Sequence, residues 1–171
     1  SGSGARFTVS SDGPHTVDYY AEDKAGNPEE QKQLTFRIDA TLPTAPSAIA
    51  ESHGVVSEQW QKDWSDPAFT WTAANDAASG VWYYRVSWGN TLHFPTSPAF
   101  VPLEVPTGSY ELRIRAVDRA GNIGPESALF TFQYDGSNPH TPDIHNLDGV
   151  ASGVWQNQVR TPNFAWPTPI D

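Results

Sequence analysis

The sequence predicts an all-β chain in which antiparallel β-sandwich units are repeated in tandem. Short runs alternate apolar and polar residues with a period of two and are bounded by Gly, Pro, Asn and Asp, as half-buried strands are. The 171-residue chain also repeats itself at a spacing of about 95 residues, which is an ordinary size for one domain. No stretch combines a helical period with helix caps. We therefore expect one complete sandwich flanked by two partial ones.

The repeat also predicts the boundaries of the units. GPHTVDYYAEDKAGN, which starts at Gly13, matches GSYELRIRAVDRAGN, which starts at Gly108. The same spacing aligns Trp60 with Trp155 further along the chain. The predicted divisions are a linker or tag remnant (1–4), the C-terminal part of a first unit (5–43), a complete central unit (44–136) and the N-terminal part of a third unit (137–171).

Alternation assigns one inward face to each predicted strand. In the run from Tyr110 to Val117, apolar side chains share one side, while Glu111 and the arginines share the other. The inward sets predicted in this way are Leu112, Ile114 and Ala116; Val17, Tyr19 and Ala21; Phe130, Phe132 and Tyr134; Leu34, Phe36 and Ile38; Phe69 and Trp71; Phe164 and Trp166; and Trp82, Tyr84, Val86 and Trp88.

Charge and composition exclude several classes of function. The chain has 20 Asp and Glu against 10 Lys and Arg, and its formal net charge of −10 argues against nucleic acid or an anionic membrane as partner. It has no Cys, which excludes disulfides, thiolate metal sites and Cys nucleophiles. No apolar run approaches the roughly 18 residues of a membrane helix, so we expect no membrane insertion.

The strand motifs carry a family resemblance. YELRIRAVDRAGN with ALFTFQYDG resembles the last two strands of a fibronectin type III module, and FTWTA with GVWYYRVSWG resembles its second and third strands. HTVDYYAEDKAGN is similar to the bacterial Ig-like repeats of surface proteins and large secreted enzymes. The resemblance implies an Ig-like or fibronectin III-type sandwich that is extracellular or on the bacterial cell surface. It also implies that Tyr110 forms a tyrosine corner, in which the hydroxyl bonds to the backbone a few residues upstream. His15 occupies the corresponding position in the first unit.

No motif predicts catalysis. The sequence lacks the nucleophile elbow, zinc-protease helix, phosphate-binding loop and EF-hand patterns, and its five histidines are scattered. We therefore expect a non-catalytic structural or interaction module, such as a spacer or adhesive stalk. Its partners would be neighbouring modules of its own chain, and a protein or glycan ligand is a further option.

The alternative function is a carbohydrate-binding accessory module of a secreted glycoside-active enzyme. The seven tryptophans could supply flat stacking surfaces. Trp60 and Trp71 recur in the third unit as Trp155 and Trp166, which favours a place in the core. Trp64 lies in a polar run without an aromatic counterpart, and Tyr83 lies on the polar side of its strand. Trp64 and Tyr83 are therefore the candidate ligand residues.

Calcium at the joints between units is a further hypothesis. In a tandem sandwich, the last strand of one unit ends beside two loops of the next unit. Asp39 would therefore approach Asp76 and Asp118, and Asp135 would approach Asp171. Carboxylate oxygens are ligands that calcium prefers, although such Asp residues also simply cap turns. The candidate ligands are Asp39, Asp76, Asp118 and Asp135.

The partial units raise the question of self-association. Their predicted strands are apolar and have unpaired edges, which favour pairing with another chain. The partial third unit of one molecule could complement the partial first unit of the next molecule, which would give open-ended, head-to-tail association. The proline-rich connectors at Pro43 and Pro139 predict extended, semi-rigid joints.

Overall fold

The computed structural model describes residues 6–150, 152–155 and 157–168, and within them the chain forms β-strands and no helix. No helix able to cross a membrane occurs in these ranges. The strands are β1 (Gly13–Tyr19), β2 (Lys32–Ile38), β3 (Ser47–Glu51), β4 (Trp60–Gln61), β5 (Phe69–Thr72), β6 (Val81–Trp88), β7 (Thr91–His93), β8 (Ala99–Phe100), β9 (Gly108–Asp118), β10 (Ile123–Glu126), β11 (Phe130–Tyr134), β12 (His145–Asn146) and β13 (Phe164–Ala165).

The central unit consists of two sheets. The larger has the order β4-β11-β9-β6-β7, with β10 also paired to β9, and the smaller has the order β3-β5-β8. Neighbouring strands are antiparallel except β4 and β11, which are parallel. The longest strand, β9, lies in the middle of the larger sheet and joins its two halves.

The core lies between the two sheets. Phe69 of the smaller sheet packs edge-on against Phe130 and Phe132 of the larger one, at ring-centroid distances of 5.4 and 6.2 Å. Leu112, Ile114 and Ala116 are fully buried beside them. This burial follows the period-two alternation, so the prediction of an all-β, sandwich-like chain is confirmed.

Four tryptophans that the sequence predicts to be in the core are exposed: Trp82 and Trp166, which alternation assigned, and Trp60 and Trp155, which recurrence in the repeat assigned. Trp82 is exposed because the pairing of β6 with β9 shifts register between Val81 and Tyr83, and this bulge takes Trp82 out of the inward series. Trp60 lies on a two-residue edge strand and is 60% exposed, and its counterpart Trp155 is also exposed. Recurrence in the repeat therefore did not mark a core position here.

The flanking units each contribute one hairpin with the register of the central unit. The pairs His15–Phe36 and Val17–Leu34 in β1 and β2 correspond to Tyr110–Phe132 and Leu112–Phe130 in β9 and β11. In the third unit, the pair His145–Ala165 corresponds to Ala50–Thr70 of β3 and β5. The pair Asn146–Phe164 likewise corresponds to Glu51–Phe69. The two ends of the chain thus have the local geometry of the central unit.

Tyr110 forms the hydrogen bond that the resemblance implies. Its hydroxyl donates to the carbonyl oxygen of Pro106, four residues upstream, at 2.9 Å. In the first unit, the Nε2 atom of His15 lies 2.7 Å from the carbonyl oxygen of Ser11, also four residues upstream. The imidazole therefore replaces the phenol as a structural group in that hairpin.

Truncation of Phe69 tests how much the inter-sheet contact stabilises the central unit. We expect Phe69→Ala to lower the free energy of unfolding by about 3–5 kcal/mol, because it leaves a cavity between the sheets. The matched control is Phe164→Ala at the corresponding position, which is 48% exposed against 1% for Phe69. Urea denaturation at low protein concentration should show a change of less than about 1 kcal/mol for this control. Equal losses for the two variants would contradict the assignment of the core.

Candidate functional site

The Asp-x-Ala-Gly-Asn motif builds a tight loop after β9. The Oδ1 atom of Asp118 accepts hydrogen bonds from the backbone N–H groups of Ala120 and Asn122, both at 2.9 Å. Its Oδ2 atom accepts a third from the Asn122 side chain at 2.8 Å. Asp23 makes the same set of bonds in the first unit. The motif is therefore a structural turn in both copies, as its turn chemistry predicts.

The first joint places the end of β2 against two loops of the central unit. Asp39 follows β2, and its Oδ2 atom accepts a hydrogen bond from the Ser79 N–H at 3.0 Å. The carbonyl oxygen of Asp39 accepts a second from the Asn122 side chain at 3.0 Å. Within the central unit, Thr44 and Asn75 exchange two further bonds where the linker enters that unit. The joint is thus held by direct contacts between the units.

The linker at this joint is anchored on the central unit by its two prolines. Pro43 and Pro46 are fully buried, so this connector packs on the central unit. At Gly124, a Cβ atom would lie 2.5 Å from the carbonyl oxygen of Pro43, which only glycine allows. The second connector differs, because Pro139 and Pro142 are exposed. Packing of the prolines on the central unit is therefore seen at the first linker and not at the second.

Three of the four candidate calcium ligands come together at this joint. Asp39, Asp76 and Asp118 each direct one carboxylate oxygen into a cluster whose members lie within 4.8 Å of one another. Asp118 is completely buried, and the other two are half-buried. The Oδ2 atom of Asp76 and the Oγ atom of Ser79 are also buried without a hydrogen-bond partner. Ser79 has no motif of its own, and sequence reasoning missed it.

In the described ranges, the carboxylates of this cluster form no ion pair, although Arg37 and Arg119 line the same cavity as Asp39. Among the described residues, no Lys or Arg nitrogen lies within 4.0 Å of the three carboxylates, and Arg119 donates instead to the Ser79 carbonyl. Two unit charges of one sign about 5 Å apart repel by about 3 kcal/mol at an effective dielectric constant of about 20. Calcium–oxygen distances of about 2.3–2.6 Å place opposite ligands about 5 Å apart. The spacing therefore fits an oxygen-ligated cation.

Asp135, the fourth candidate, lies at the opposite end of the central unit and is not part of this cluster. Two hydrogen bonds from Ser137 hold the pKa of Asp135 below its usual range, and the bond from its hydroxyl contributes more than the bond from its N–H. Thr107 donates a further bond at 3.3 Å. The expected partner Asp171 lies outside the described residues.

Trp64 lines a shallow groove beside β4. It is 42% exposed, and its indole stacks on the His53 ring with centroids 4.0 Å apart and planes at 9°. Trp60 lies in the same groove, which has a volume of about 210 Å³, and the polar residues Gln59 and Asp63 line its wall. The structure thus pairs Trp64 with Trp60 and His53, neither of which the sequence suggested.

Tyr83 lies in a different place from Trp64. It is half-buried, and its ring packs edge-on against Trp82 at 5.2 Å and Phe94 at 5.9 Å. The groove that contains Trp64 does not include Tyr83. The two candidate ligand residues therefore belong to separate aromatic patches.

His53 forms a pair with a carboxylate, but that carboxylate serves the turn after β3. Glu51 is buried, and its oxygens accept bonds from the N–H groups of His53, Val55 and Ala68 and contact the His53 Nδ1 atom at 2.9 Å. The third unit builds the corresponding turn with an amide, since Asn146 accepts from the Asp148 N–H at 3.0 Å. The pair is therefore explained by local structure.

Several solved structures are similar to part of this chain, including a chitinase and a rhamnosidase. No protein-family model matches the chain, and no curated protein matches it. Chitinase ChiA74 from Bacillus thuringiensis has a TM-score of 0.49 and 22% identity over 65% of this chain. Streptomyces avermitilis alpha-L-rhamnosidase, complexed with L-rhamnose, has a TM-score of 0.37 and 16% identity over 53% of this chain. The matched regions span 16% and 10% of the two enzymes.

The Glu51 turn predicts a pH dependence of stability. Burial raises the pKa of Glu51, but the hydrogen bonds that its carboxylate accepts lower this pKa by more. The bond from the Ala68 N–H has the largest effect among them, and the pKa is held below its ordinary value of 4.5. The stabilisation is therefore present above about pH 4.5 and is lost as the pH falls through the lower pKa of the folded state. We expect Glu51→Gln to lower the free energy of unfolding at pH 7 by about 1–3 kcal/mol, because one buried N–H loses its acceptor.

Chemical denaturation at pH 7 and at pH 3 measures this effect. The difference between Glu51→Gln and the unsubstituted protein should shrink at the lower pH. Glu104→Gln is the control, because Glu104 is exposed in the same unit and makes none of these bonds. A difference that stayed constant with pH would contradict the role given to the Glu51 carboxylate.

Proposed function

We propose that this chain is a non-catalytic spacer made of tandem Ig-like or fibronectin III-type units from a secreted or surface-exposed bacterial protein. Support for the fold family comes from the strand orders β3-β5-β8 and β4-β11-β9-β6-β7 and from the hydrogen bond of Tyr110. Support for tandem units comes from the shared register of the hairpins at either end. A repeated sandwich whose joint is packed is suited to holding other domains at a fixed distance.

A non-catalytic role is favoured because the carboxylate beside His53 already has a structural role in a turn. The Glu51 carboxylate is occupied by turn hydrogen bonds, and the residues that line the groove beside His53 include no Ser, Thr or Lys nucleophile. Catalysis requires a nucleophile, base or metal placed together in a pocket. The groove beside His53 does not bring such a set together.

The proposed spacer is stiffened by calcium at its first joint. The observation that carries this proposal is the meeting of Asp39, from the end of the first unit, with Asp76 and Asp118 of the central unit. The Asp76 Oδ2 and Ser79 Oγ atoms are buried without a hydrogen-bond partner, so both oxygens are available as ligands. Calcium bound there would neutralise the like charges and tie the two units together, because its ligands come from both.

Calcium should raise the melting temperature of the central unit. A ligand that binds only the folded state stabilises it by about 2.7 kcal/mol at one hundred times its Kd, which corresponds to about 10 °C or more for a domain of this size. Differential scanning calorimetry in millimolar calcium and in excess chelator measures the shift. Magnesium serves as the control cation. An unchanged melting temperature would refute the calcium proposal.

Two matched variants separate metal binding from loop stability. Asp118→Asn and Asp23→Asn alter the same turn in two units, but only Asp118 lies in the cluster. We therefore expect Asp118→Asn to lose the calcium shift and Asp23→Asn to retain it. Asp76→Asn should match or exceed the unsubstituted protein in chelator, because it removes one of three like charges, and should fall below it in calcium. Loss of stability under both conditions would indicate a purely structural cluster.

Carbohydrate binding, as in an accessory module of a secreted glycoside-active enzyme, is the second candidate function. The specific observation is the groove that exposes Trp60 and Trp64 beside Gln59 and Asp63. Aromatic faces contact the apolar faces of sugar rings, while amide and carboxylate groups at the edge can bond to hydroxyls.

Pull-down on insoluble chitin and cellulose, with Trp60→Ala and Trp64→Ala, tests this second function. We expect at least a tenfold loss of binding for each variant. Trp82→Ala is the control, since Trp82 is as exposed as Trp60 but lies on another patch. No retention of the unsubstituted protein, or an equal loss for Trp82→Ala, would argue against a sugar site in this groove.

A further inference from the structure

Three arginines gather on the outer face of the larger sheet of the central unit. Arg85 of β6 is directly paired with Arg115 of β9, so their side chains are neighbours on one face. Arg113 precedes Arg115 by two residues and therefore lies on the same side. The three side chains line one shallow cavity of about 160 Å³, together with a single carboxylate. This positive site contrasts with a chain that has 20 Asp and Glu against 10 Lys and Arg.

The carboxylates nearby satisfy only part of this arginine cluster. Glu126 accepts from the Nη1 atom of Arg113 at 3.2 Å and from the Nε atom of Arg115 at 3.3 Å. Glu111 accepts from the Nη2 atom of Arg113 at 3.3 Å. Within the described ranges, neither terminal nitrogen of Arg115 forms an ion pair, and the half-buried Arg85 side chain forms no ion pair or hydrogen bond. Two guanidinium groups are therefore available to another anion.

The fold itself does not require arginines at these positions. The repeat aligns Arg113 with Asp18 of the first unit and Arg115 with Tyr20, although the two hairpins have the same register. Like charges directly opposite each other in a sheet are destabilising, and Arg85 and Arg115 are such a pair. Residues that lower stability and that the fold can do without are typical of binding sites.

An aromatic patch borders the arginines on the same sheet. Tyr83 precedes Arg85 by two residues on β6, so it lies on the same face at about 7 Å along the strand. The exposed ring of Phe94 packs edge-on against Tyr83 at 5.9 Å, and the exposed Trp82 contacts Tyr83 at 5.2 Å. Leu92 lines the arginine cavity itself. This face therefore presents apolar rings directly beside positive charge.

We propose that this face binds an acidic polysaccharide, in which the sugar rings carry carboxylates. The planar fork of a guanidinium matches a carboxylate and donates two parallel N–H bonds to it, so Arg85 and Arg115 hold the acid group. The apolar face of a sugar ring contacts Phe94 beside them. The site is separate from the groove of Trp60 and Trp64, because that groove lies beside β4 at the opposite edge of the same sheet.

The flat face of the sheet favours a sugar polymer over other polyanions. The backbone groups of β6 and β9 bond to each other, so an acidic peptide finds no main-chain partner here, and peptides that pair with sheets do so at an edge. Nucleic acid has a dense row of phosphates, which the net charge of −10 repels. A uronic-acid polymer carries its charges further apart, and its hydroxyls can bond to Ser87 and Glu126 in the same cavity.

Isothermal titration calorimetry of the full chain with polygalacturonate tests this proposal. The titrations are made in excess chelator, because carboxylates of the polymer are themselves calcium ligands. Methyl-esterified polygalacturonate has the same rings without the charge, and we expect it to bind at least about tenfold more weakly. Binding of the acidic polymer should also weaken between about 0.1 M and 1 M salt, because the Debye length falls from about 10 Å to about 3 Å.

Single substitutions locate the site on the molecule. Arg85→Gln and Phe94→Ala should each lower the affinity at least about fivefold, because each removes one of the two kinds of contact. Arg160→Gln, which removes the same charge from an exposed position in the third unit, should bind like the unsubstituted chain, and so should Trp64→Ala. The melting temperature of Arg85→Gln should equal or exceed that of the unsubstituted chain, because the substitution removes the like-charge pair with Arg115.

Several results would overturn the proposal. These are a lack of binding to polygalacturonate, equal affinity for its esterified form, and an equal loss of binding in Arg160→Gln. Equal affinity for polyglutamate would indicate an acidic-peptide site, and equal affinity for single-stranded DNA a general polyanion surface. A lower melting temperature in Arg85→Gln would give that arginine a structural role, and loss of binding in Trp64→Ala would move the site to the groove beside β4. The calcium and spacer proposals are independent of these results, because the titrations are made in chelator.

Discussion

The contact of Phe69 with Phe130 and Phe132 is the interaction on which the central unit depends. It joins the smaller sheet to the larger one, and the fully buried side chains of Leu112 and Ile114 lie around it. Most of the free energy of such a sandwich comes from apolar area removed from water between its sheets. The same residue types stay exposed in the flanking hairpins, where the second sheet is absent from the described chain.

The joint between the first and central units follows from this architecture. Because the linker after β2 packs on the central unit, Asp39 meets the loop after β9 and the loop before β6. Backbone N–H groups satisfy most of the carboxylate oxygens, but one oxygen of Asp76 and the hydroxyl of Ser79 stay without partners. A packed linker beside three carboxylates that form no ion pair among the described residues is the feature that connects the fold to the proposed calcium-stiffened spacer.

Much of the fold could be predicted because alternation and repetition are local properties of the chain. The inward residues of β9 and β11 were assigned by parity alone, and the turn of Asp118 followed from its motif. Trp82 and Trp60 were misplaced, because a bulge and an edge position depend on strand pairing rather than on composition. The partners of Trp64 were missed for the same reason: His53 reaches it through the turn that Glu51 holds.

The sequence by itself determined that this chain is all-β, that its strands repeat, and that Asp39, Asp76 and Asp118 are worth considering together. Period-two burial and turn chemistry act over a few residues and so can be recognised without coordinates. Only the tertiary structure decided which aspartates meet, that Asp135 stands apart, and that Trp64 and Tyr83 belong to separate patches. Those facts depend on how two sheets and a linker pack, and packing brings together residues that are tens of positions apart.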